Sequence, residues 1–363
     1  MLNVKVLSVV GARPQFVKLA PVCRAFDAAG DVEHVIVHTG QHYDAVMSDV
    51  FFDDLRIPSP DVHLGVGSGN HGAQTGAMLA GLEPVLLEHR PDWTLVYGDT
   101  NSTIAAALAA VKHHLPVAHL EAGLRSFNRR MPEEHNRVLT DHASDLLLAP
   151  TQVAMDHLAT EGLAERSVLV GDVMTDVCLT VRDGLADAPL QLPADVDADF
   201  DPSAPYLLAT IHRPDNTDTA ERLGEIVAAM RELPTQVLLL AHPRLVAKAA
   251  EHGISLVGGN LHGASPLAYP QMVRAVLGSV GVLTDSGGLQ KEAFLLDTPC
   301  TTIRPETEWV ETLENGWNIL DNGLTQLRDV AVRPVPVGDK GTPYGDGRAA
   351  EQVTETLRAR LRP

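Results

Sequence analysis

Several side chains that could exchange protons follow short apolar runs of this sequence, at the point where each run ends. Asp99 and Glu121 follow two such runs, and Glu133 lies in the first turn of a predicted helix. Carboxylates at these places can act as acids and bases if their surroundings separate their pKa values. They can equally cap a helix (Asp99), pair with Arg125 (Glu121) or match a helix dipole (Glu133). The pattern therefore predicts either acid–base chemistry or local structural roles.

A second group of residues has the types and spacing of an anion site. Gly11 is followed by Arg13 and Lys18 around a predicted helix start, where backbone N–H groups and the helix dipole attract negative charge. A solvated helix start with incidental basic residues explains this turn equally well. In the second half of the chain, His212 follows another apolar run, and Ser286–Gly288 would direct backbone N–H groups at a phosphate. Taken together, these turns favour a nucleoside diphosphate as the ligand.

Secondary structure must bring these residues together. Apolar runs recur along the chain, each followed by a polar residue, Gly or Pro and then by a helix-like segment such as Ser102–His113 or Ala220–Arg231. Such runs are typical of strands buried on both faces of a parallel sheet, whose ligands bind beyond the carboxyl ends of the strands. The sequence therefore predicts two doubly wound α/β units. The predicted strands are Val4–Val10, His34–His38, Trp93–Tyr97, Val117–Leu120, Asp145–Leu148, Ser167–Val170, Tyr206–Ile211, Gln236–Leu240, Ile254–Val257, Val280–Leu283, Cys300–Ile303 and Trp317–Leu320.

Proline-rich and glycine-rich segments mark the expected breaks between these units. Four prolines within Leu185–Pro205 make regular structure unfavourable there, and the segment is predicted to lead into a second domain. A second cluster of breakers, Pro343–Gly347, precedes an amphipathic segment, Arg348–Arg360. The sequence therefore predicts two domains followed by a C-terminal helix.

Composition excludes several classes of function. The 363-residue chain has a net charge of −19, which argues against general binding to nucleic acid or to an anionic membrane. Its three cysteines are far apart and predict neither disulfides nor a zinc site. A signal-peptide pattern and a membrane-length apolar run are both lacking, so a cytoplasmic location is expected. The G-x-G-x-x-G fingerprint of nicotinamide enzymes is lacking too.

In their order and spacing, the motifs resemble the non-hydrolysing UDP-N-acetylglucosamine 2-epimerase family over nearly the whole chain. No single motif is decisive, but seven motifs in the order of the family rarely occur together by chance. The matching segments are Gly11–Pro21 (GARPQFVKLAP), Tyr97–Thr103 (YGDTNST), Glu121–Arg125 (EAGLR), Pro132–Arg137 (PEEHNR), His212-Arg213, Asp285–Glu292 (DSGGLQKE) and Pro343–Gly347 (PYGDG).

The resemblance implies a GT-B-like fold of two Rossmann-like domains with UDP in the cleft between them. The first domain would span residues 1–180 and be joined by a C-terminal helix, 345–363, that crosses back to it. The UDP-binding domain would span residues 181–344. The implied reaction eliminates UDP to give a 2-acetamidoglucal and then adds UDP back after C2 has received a proton on its other face. The family requires neither a metal nor another cofactor, and its members are homodimers that bind a UDP-sugar.

The resemblance also implies roles for individual residues. Asp99, Glu121 and Glu133 match the family's catalytic carboxylates. The cations Arg13, Lys18 and His212 would neutralise charge on the departing diphosphate. Within the UDP-binding set, Ser286, Gly287 and Gly288 would hold the phosphates and Glu292 the ribose. The full UDP-binding set implied by the resemblance is Arg13, Arg137, His242, Ser286, Gly287, Gly288 and Glu292.

Three alternatives stay open. Gly40–Phe51, Ser126–Pro132 and Ile211–Thr217 resemble siblings that act on UDP-2,3-diacetamido-2,3-dideoxyglucuronate. In such an enzyme Arg129 and Arg130 could bind the sugar carboxylate, although a solvated loop explains them equally well. A hydrolysing 2-epimerase shares the same motifs. A GT-B glycosyltransferase shares the fold but does not need three carboxylates at strand ends.

Overall fold

A computed structural model of the chain describes residues 3–41, 57–185 and 188–361. Most of Gly40–Phe51, one of the segments that resemble the diacetamido-uronate siblings, lies outside these residues. The chain divides into two compact units, unit 1 (Met1–Val177 with Thr342–Pro363) and unit 2 (Cys178–Gly341). Each unit contains a parallel sheet that is connected through helices, so the predicted class of two doubly wound α/β units is confirmed.

Within the described residues, unit 1 has a parallel sheet of seven strands in the order β3-β2-β1-β4-β5-β6-β7. The strands are β1 (Val4–Val10), β2 (Val32–His38), β3 (Val62–His63), β4 (Trp93–Tyr97), β5 (Val117–Leu120), β6 (Leu146–Ala149) and β7 (Ser167–Leu169). The helices that connect them are α1 (Arg13–Ala29), α2 (His71–His89), α3 (Asn101–Lys112), α4 (Pro132–Ala143) and α5 (Gln152–Thr160), and α6 (Val173–Leu185) follows β7.

The first strand shows why these runs are apolar without alternation. Val4, Val6 and Val10 belong to the core cluster that includes α1, whereas Leu7 and Val9 belong to the cluster that includes α2 and α3. Burial of each such side chain stabilises the fold by about 1.5–3 kcal/mol. Since both faces of β1 are covered, apolar residues are needed at odd and even positions alike.

Within the described residues, unit 2 has a parallel sheet of six strands in the order β10-β9-β8-β11-β12-β13. The strands are β8 (Tyr206–Thr210), β9 (Gln236–Leu240), β10 (Leu261–Ala264), β11 (Gly281–Thr284), β12 (Cys300–Thr302) and β13 (Asn318–Leu320). The helices are α7 (Pro214–Thr217), α8 (Ala220–Arg231), α9 (Pro243–His252), α10 (Tyr269–Gly278), α11 (Gly287–Leu295) and α12 (Leu327–Val330).

A last helix, α13 (Ala349–Ala359), packs in unit 1 against α1. Its first turn is capped by Asp176, whose two carboxylate oxygens accept from the N–H groups of Ala349 (3.0 Å) and Ala350 (2.7 Å). Near its other end, the Trp93 indole donates to the carbonyl of Leu357 (3.0 Å). The C-terminal segment is therefore part of the unit 1 core.

One predicted strand is wrong. The sequence predicts a strand at Ile254–Val257, but the strand that pairs with β9 is Leu261–Ala264. This edge strand includes His262 and Gly263, so its sequence lacks a continuous apolar run. The structure also contains β3 and α2, which the sequence did not predict. The three glycines and Pro84 of α2 weaken its helical pattern.

The cysteines belong to the hydrophobic interior. Cys23, Cys178 and Cys300 are free and buried. Burial raises the pKa of each thiol to about 12, so all three are protonated at neutral pH. In the part of the chain that the structure describes, no helix combines the length and the apolar character that crossing a membrane requires.

Candidate functional site

The strand order reverses once in each sheet. In unit 1 the reversal lies between β1 and β4, and in unit 2 between β8 and β11. Connections leave such a point toward opposite faces, and open α/β sheets bind ligands beyond the carboxyl ends of the strands there. The turns that follow β1, β4, β8 and β11 are therefore the candidate sites, each considered within its own unit.

The turn after β1 is held by Gln15. Its side-chain oxygen accepts from the N–H groups of Gly11 (2.9 Å) and Ala12 (3.1 Å), and its amide nitrogen donates to the carbonyl of Tyr97 at the end of β4 (2.9 Å). This residue ties the two strand ends of the reversal together and sets where α1 begins. Arg13 is the first residue of α1, and its side chain lies outside the described part of the structure.

Gly11 is required at this turn for reasons of space. A Cβ atom at this position would lie 1.9 Å from the Thr39 hydroxyl oxygen and 2.4 Å from that of Ser102. The two hydroxyl groups are hydrogen-bonded to each other (2.8 Å). A side chain at position 11 would separate them, so only glycine fits.

Lys18 and Glu121 form an ion pair in direct contact, with side chains only 13% and 12% exposed. Burial lowers the pKa of Lys18, but the carboxylates of Glu121, Asp99 and Asp172 raise it, and the resulting pKa lies above the ordinary value. Lys18 is therefore a permanent cation at neutral pH. It can neutralise negative charge, whereas proton transfer falls to the carboxylates.

Two unusual backbone conformations support this pair. Gly98 has φ +61°, and a Cβ atom there would lie 3.0 Å from the Glu121 carboxylate and 3.2 Å from the Lys18 ammonium. Glu121 has φ +72°, which is left-handed backbone that a non-glycine residue adopts at a cost of about 1–3 kcal/mol. Such strain concentrates at functional sites, where the surrounding structure holds it in place.

Asp99 forms a second ion pair beside the first. Arg137 places one terminal nitrogen 2.5 Å from the Asp99 carboxylate and the other 3.0 Å from that of Glu134. Burial lowers the pKa of Arg137, but Asp99, Glu134 and Glu121 raise it above the ordinary value. The Asp99 side chain is 33% exposed, so a ligand can reach it. Arg137, predicted to bind UDP, is engaged with two carboxylates of unit 1.

The adjacent acids Glu133 and Glu134 differ in burial. Glu134 is buried, and its carboxylate accepts from the N–H and hydroxyl groups of Ser126 and from the N–H of Phe127, each at 2.9 Å. It therefore anchors the loop that precedes α4. Glu133 lies exposed in the first turn of α4, where a ligand could meet it.

The interpretation that Glu121 is bridged to Arg125 is wrong. Arg125 binds Glu161 through two nitrogens at 2.8 Å each and Asp141 through a third at 2.7 Å. Asp141 in turn lies 2.6 Å from a ring nitrogen of His119. This network is buried in unit 1, and Glu121 is left to pair with Lys18.

In unit 2, the turn after β8 is organised by Asp285, a fully buried carboxylate directly after β11. It accepts from the backbone N–H groups of His212 (3.1 Å) and Arg213 (2.9 Å) and from the Asn216 amide (3.0 Å). The His212 ring nitrogen Nδ1 lies 3.1 Å away. Burial raises the pKa of Asp285, but His212, Asn216 and Arg213 lower it below the ordinary value. Asp285 therefore orients His212, whose side chain remains 38% exposed.

Ser286, Gly287 and Gly288 form the start of α11. Ser286 is its N-cap and accepts from the N–H of Leu289 (3.4 Å). A Cβ atom at Gly287 would lie 2.3 Å from the Glu308 carboxylate, whereas at Gly288 the nearest atom would be 3.9 Å away. The N–H of Ser286 donates to the Thr284 hydroxyl (2.9 Å), so Gly287 and Gly288 provide the candidate N–H donors for the predicted phosphate site.

The two remaining predicted UDP-binding residues lie in unit 2. His242 is the N-cap of α9, its Nδ1 accepts from the N–H of Arg244 (3.2 Å), and its ring centroid is 5.5 Å from that of His212. Glu292 follows in α11 and is 9% exposed. Both therefore lie on the elements that begin near the carboxyl ends of β9 and β11.

Sequence reasoning did not assign roles to several residues that build these turns. Gln15, His119, Asp141 and Asp285 are all buried, and each bonds to a residue far away in the chain. A polar residue inside an apolar run, such as His119 in Val117–Leu120, was a signal that could have been used. Within residues 3–41, 57–185 and 188–361, the structure has no group of three or more His, Cys, Asp or Glu side chains that could hold a metal ion.

Comparison with known proteins finds a family model that matches residues 24–358 and describes UDP-N-acetylglucosamine 2-epimerase. Among curated relatives, the chain is 45% identical to UDP-2,3-diacetamido-2,3-dideoxy-D-glucuronate 2-epimerase of Pseudomonas aeruginosa, over 97% of this chain and 99% of that protein.

Two solved structures agree in fold. The UDP-GlcNAc 2-epimerase of Methanocaldococcus jannaschii, in complex with UDP-GlcNAc and UDP, has a TM-score of 0.81 at 35% identity and covers 98% of this chain and 99% of that one. The Neisseria meningitidis enzyme bound to UDP-GlcNAc has a TM-score of 0.85 at 28% identity, with coverage of 98% and 100%. The predicted GT-B-like fold class is thereby confirmed.

Proposed function

Since the chain belongs to the UDP-N-acetylglucosamine 2-epimerase family, we propose that it inverts C2 of UDP-N-acetylglucosamine to give UDP-N-acetylmannosamine. The observation that supports this most is the pair of adjoining ion pairs in unit 1, Lys18–Glu121 and Arg137–Asp99. They present two carboxylates with different partners and different exposure, as proton transfer on two faces of one carbon requires.

In the proposed reaction, one carboxylate removes the C2 proton while the C1–O bond breaks and its electron pair leaves with UDP. The bound products are UDP and a 2-acetamidoglucal. A second acid returns a proton to the opposite face of C2, and a UDP oxygen attacks C1. We assign Asp99, Glu121 and Glu133 as the acid–base set, and Lys18 as a cation that offsets developing negative charge.

We assign the nucleotide to residues of unit 2. The Ser286 hydroxyl and the N–H groups of Gly287 and Gly288 would hold phosphate oxygens, because a helix start attracts anions. His212, oriented by Asp285, would donate to the diphosphate as charge develops on it. The further members of the proposed UDP set are Arg13, Arg137, His242 and Glu292.

The test is proton NMR of the purified protein with UDP-N-acetylglucosamine in deuterated water, without added metal or cofactor. Deuterium at C2 together with UDP-N-acetylmannosamine would support both the reaction and its elimination step. Accumulation of free sugar and UDP would instead indicate the hydrolysing reaction. Absence of exchange would overturn this substrate, and the diacetamido-uronate would be tested next.

A second substrate, UDP-2,3-diacetamido-2,3-dideoxyglucuronate, is favoured by a specific observation. The 45% identical relative acts on this sugar, and Arg129 and Arg130 lie exposed on the loop that Glu134 anchors beside Arg137. Comparison of kcat/KM for the two substrates decides between them. If the uronate is the substrate, Arg129→Ala or Arg130→Ala would lower kcat/KM for it about 10-fold or more, with little change for UDP-N-acetylglucosamine.

We further propose a homodimer, which the resemblance implies, and a cytoplasmic location, which the sequence predicts. Analytical ultracentrifugation of the purified chain tests the first, and cell fractionation tests the second. We also propose catalysis without a metal or an organic cofactor. Full activity after exhaustive dialysis against a chelator would support this, and loss that returns on adding a divalent cation would contradict it.

A further inference from the structure

His119 is fully buried at the carboxyl end of β5, and the proposed reaction does not use it. Its ring lies between two acceptors from other elements. Nδ1 is 2.6 Å from the Asp141 carboxylate on α4, and Nε2 is 2.7 Å from the carbonyl oxygen of Gly98 after β4. A buried polar side chain of this kind is costly unless both of its nitrogens are satisfied.

The two acceptors determine how the His119 ring is protonated. A carbonyl oxygen has no hydrogen to give, so Nε2 must donate to Gly98. The other oxygen of Asp141 accepts from Arg125 (2.7 Å) and from the N–H of Gly123 (3.1 Å). Because a guanidinium and a backbone N–H both donate to Asp141, it acts as an acceptor here, as an ionised carboxylate does. Nδ1 must therefore donate as well, so the geometry gives both ring nitrogens of His119 as donors.

The same contacts join the segments that bear the three proposed acid–base residues. Gly98 donates its N–H to the carbonyl of Leu120 (3.0 Å) and accepts from His119, so β5 holds Gly98 on both sides. The next residue after Gly98 is Asp99, and the next after Leu120 is Glu121. Asp141 lies on α4, which begins with the turn that contains Glu133.

We propose that His119 is a positioning residue whose charged hydrogen bond to the Gly98 carbonyl holds the Gly98–Asp99 turn in register with Glu121. The inference rests on the proposed function, because it concerns the geometry of that acid–base set. A charged donor holds a carbonyl more strongly than a neutral one, and a displacement of about 1 Å in such a site can lower a rate about 100-fold.

The protonation is tested on the wild-type full chain by 15N NMR with labelled histidine near pH 7, and the His119 signals are assigned by their loss in His119→Gln. The expected result is a proton on both ring nitrogens of His119. A single protonated nitrogen would overturn the inference. This measurement needs no substrate, so it judges His119 even if the proposed reaction fails.

The positioning role is tested with two amide variants. In His119→Asn the amide nitrogen replaces Nδ1 and can donate to Asp141, whereas in His119→Gln it replaces Nε2 and can donate to Gly98. We expect kcat to fall about 100-fold in the Asn variant and to stay within about 10-fold of wild type in the Gln variant. KM should change less than about threefold in both, because the nucleotide is assigned to other residues.

The melting temperature separates positioning from stability. We expect the Asn variant to be at least as stable as the Gln variant despite its lower kcat, since it keeps the bond to Asp141. Equal kcat losses in the two variants, or losses that follow the melting temperature, would contradict the role. Failure of both to fold would also contradict it, because His119 would then serve the fold itself.

His262→Gln provides a matched control in unit 2. His262 is a mostly buried histidine whose Nδ1 lies 3.2 Å from the Asp197 carboxylate. Loss of this pair should lower the melting temperature and leave kcat unchanged. A drop in kcat similar to that of His119→Asn would mean that loss of any buried His–Asp pair impairs turnover, and would overturn the specific role of His119.

Discussion

Unit 1 and unit 2 reverse their strand order in the same way, but the turns at the reversal are built from different interactions. In unit 1, charged side chains meet in pairs, Lys18 with Glu121 and Arg137 with Asp99. In unit 2, the carboxylate of Asp285 is surrounded by N–H donors and the next residue caps a helix start. The first arrangement can move protons, and the second can hold an anion. The proposed function therefore assigns proton transfer to the turns of unit 1 and nucleotide binding to those of unit 2.

The largest expected effect comes from removing the charge of Glu121 in unit 1. Glu121→Gln keeps the shape of the side chain but removes its ability to take a proton, so kcat should fall about 1000-fold, with a small change in KM. The deuterium-exchange assay measures this.

Glu33→Gln is the control for this variant. Glu33 forms a comparable but exposed pair with Lys5 (2.8 Å) in the same unit, and its replacement should leave kcat unchanged. If Glu121→Gln kept wild-type kcat, the assignment of Glu121 to the acid–base set would be wrong.

The next effect tests the binding role of unit 2. Asp285→Asn turns an amide NH₂ toward N–H donors, which should lower the free energy of unfolding by about 3–5 kcal/mol. Affinity for UDP should fall at least about 10-fold, because His212 loses its orientation. Urea unfolding and calorimetric titration with UDP measure the two quantities.

Asp297→Asn is the matched control for Asp285→Asn. Asp297 is an exposed carboxylate of unit 2 that pairs with Lys340, and its loss should change the free energy of unfolding by less than about 0.5 kcal/mol. Unchanged UDP affinity in Asp285→Asn would mean that unit 2 binds the nucleotide without this carboxylate.

Asp176 of unit 1 and Asp285 of unit 2 should respond to pH in opposite directions. Burial raises the pKa of Asp176 in unit 1 to about 6, although the N–H groups of Ala350 and Ala349 lower it. Its stabilising contribution is therefore complete below the unfolded pKa of about 3.9 and is lost as pH rises through about 6, by about 3 kcal/mol at most. Asp285 has a lowered pKa, so its contribution is present above about pH 3.9 and is lost on acidification.

Unfolding of wild type and Asp176→Asn between about pH 4 and pH 7 tests this difference. The Asn variant should lack the component of the wild-type pH dependence that destabilises the protein as pH rises. Identical pH dependence in the two proteins would show that the Asp176 carboxylate is not perturbed by burial.

The smallest effect distinguishes two neighbouring glycines of unit 2. Gly287→Ala would push its methyl group into Glu308, which Arg304 holds at 2.9 Å, and should destabilise by about 1–2 kcal/mol. Gly288→Ala meets no atom closer than 3.9 Å within a helix, so it should stabilise by about 0.5–1 kcal/mol. Melting temperatures measure both. Equal effects would mean that the start of α11 is less tightly packed than the structure shows.

Much of the fold follows from local sequence. The bounds predicted for β1, β4, β5 and β9 agree with the structure residue by residue, because each run is mostly apolar and almost entirely buried in its sheet. Prediction failed at the edge strand β10, because its four residues include His262 and Gly263 and so lack the apolar run that identifies a buried strand. The predicted domain boundaries and site roles stay predictions.

The candidate site was predictable only in part. Motif positions indicated Lys18, Asp99 and Glu121 as functional residues, but not which cation pairs with which carboxylate. Glu133 and Glu134 are indistinguishable in sequence, yet one is exposed and the other anchors a loop. Burial of one neighbour and not the other depends on how α4 packs, which no local pattern specifies.

The sequence by itself determined which segments are strands and helices, and which residue types occupy the turns after them, because these follow from burial periodicity and backbone conformation. Tertiary structure alone decided that Lys18 meets Glu121, 103 residues away, and that His119 meets both Asp141 and Gly98. The physical reason is the order of strands in the sheet. The strand order brings distant turns to one edge of the sheet, where oppositely charged side chains lie within a few ångströms of each other.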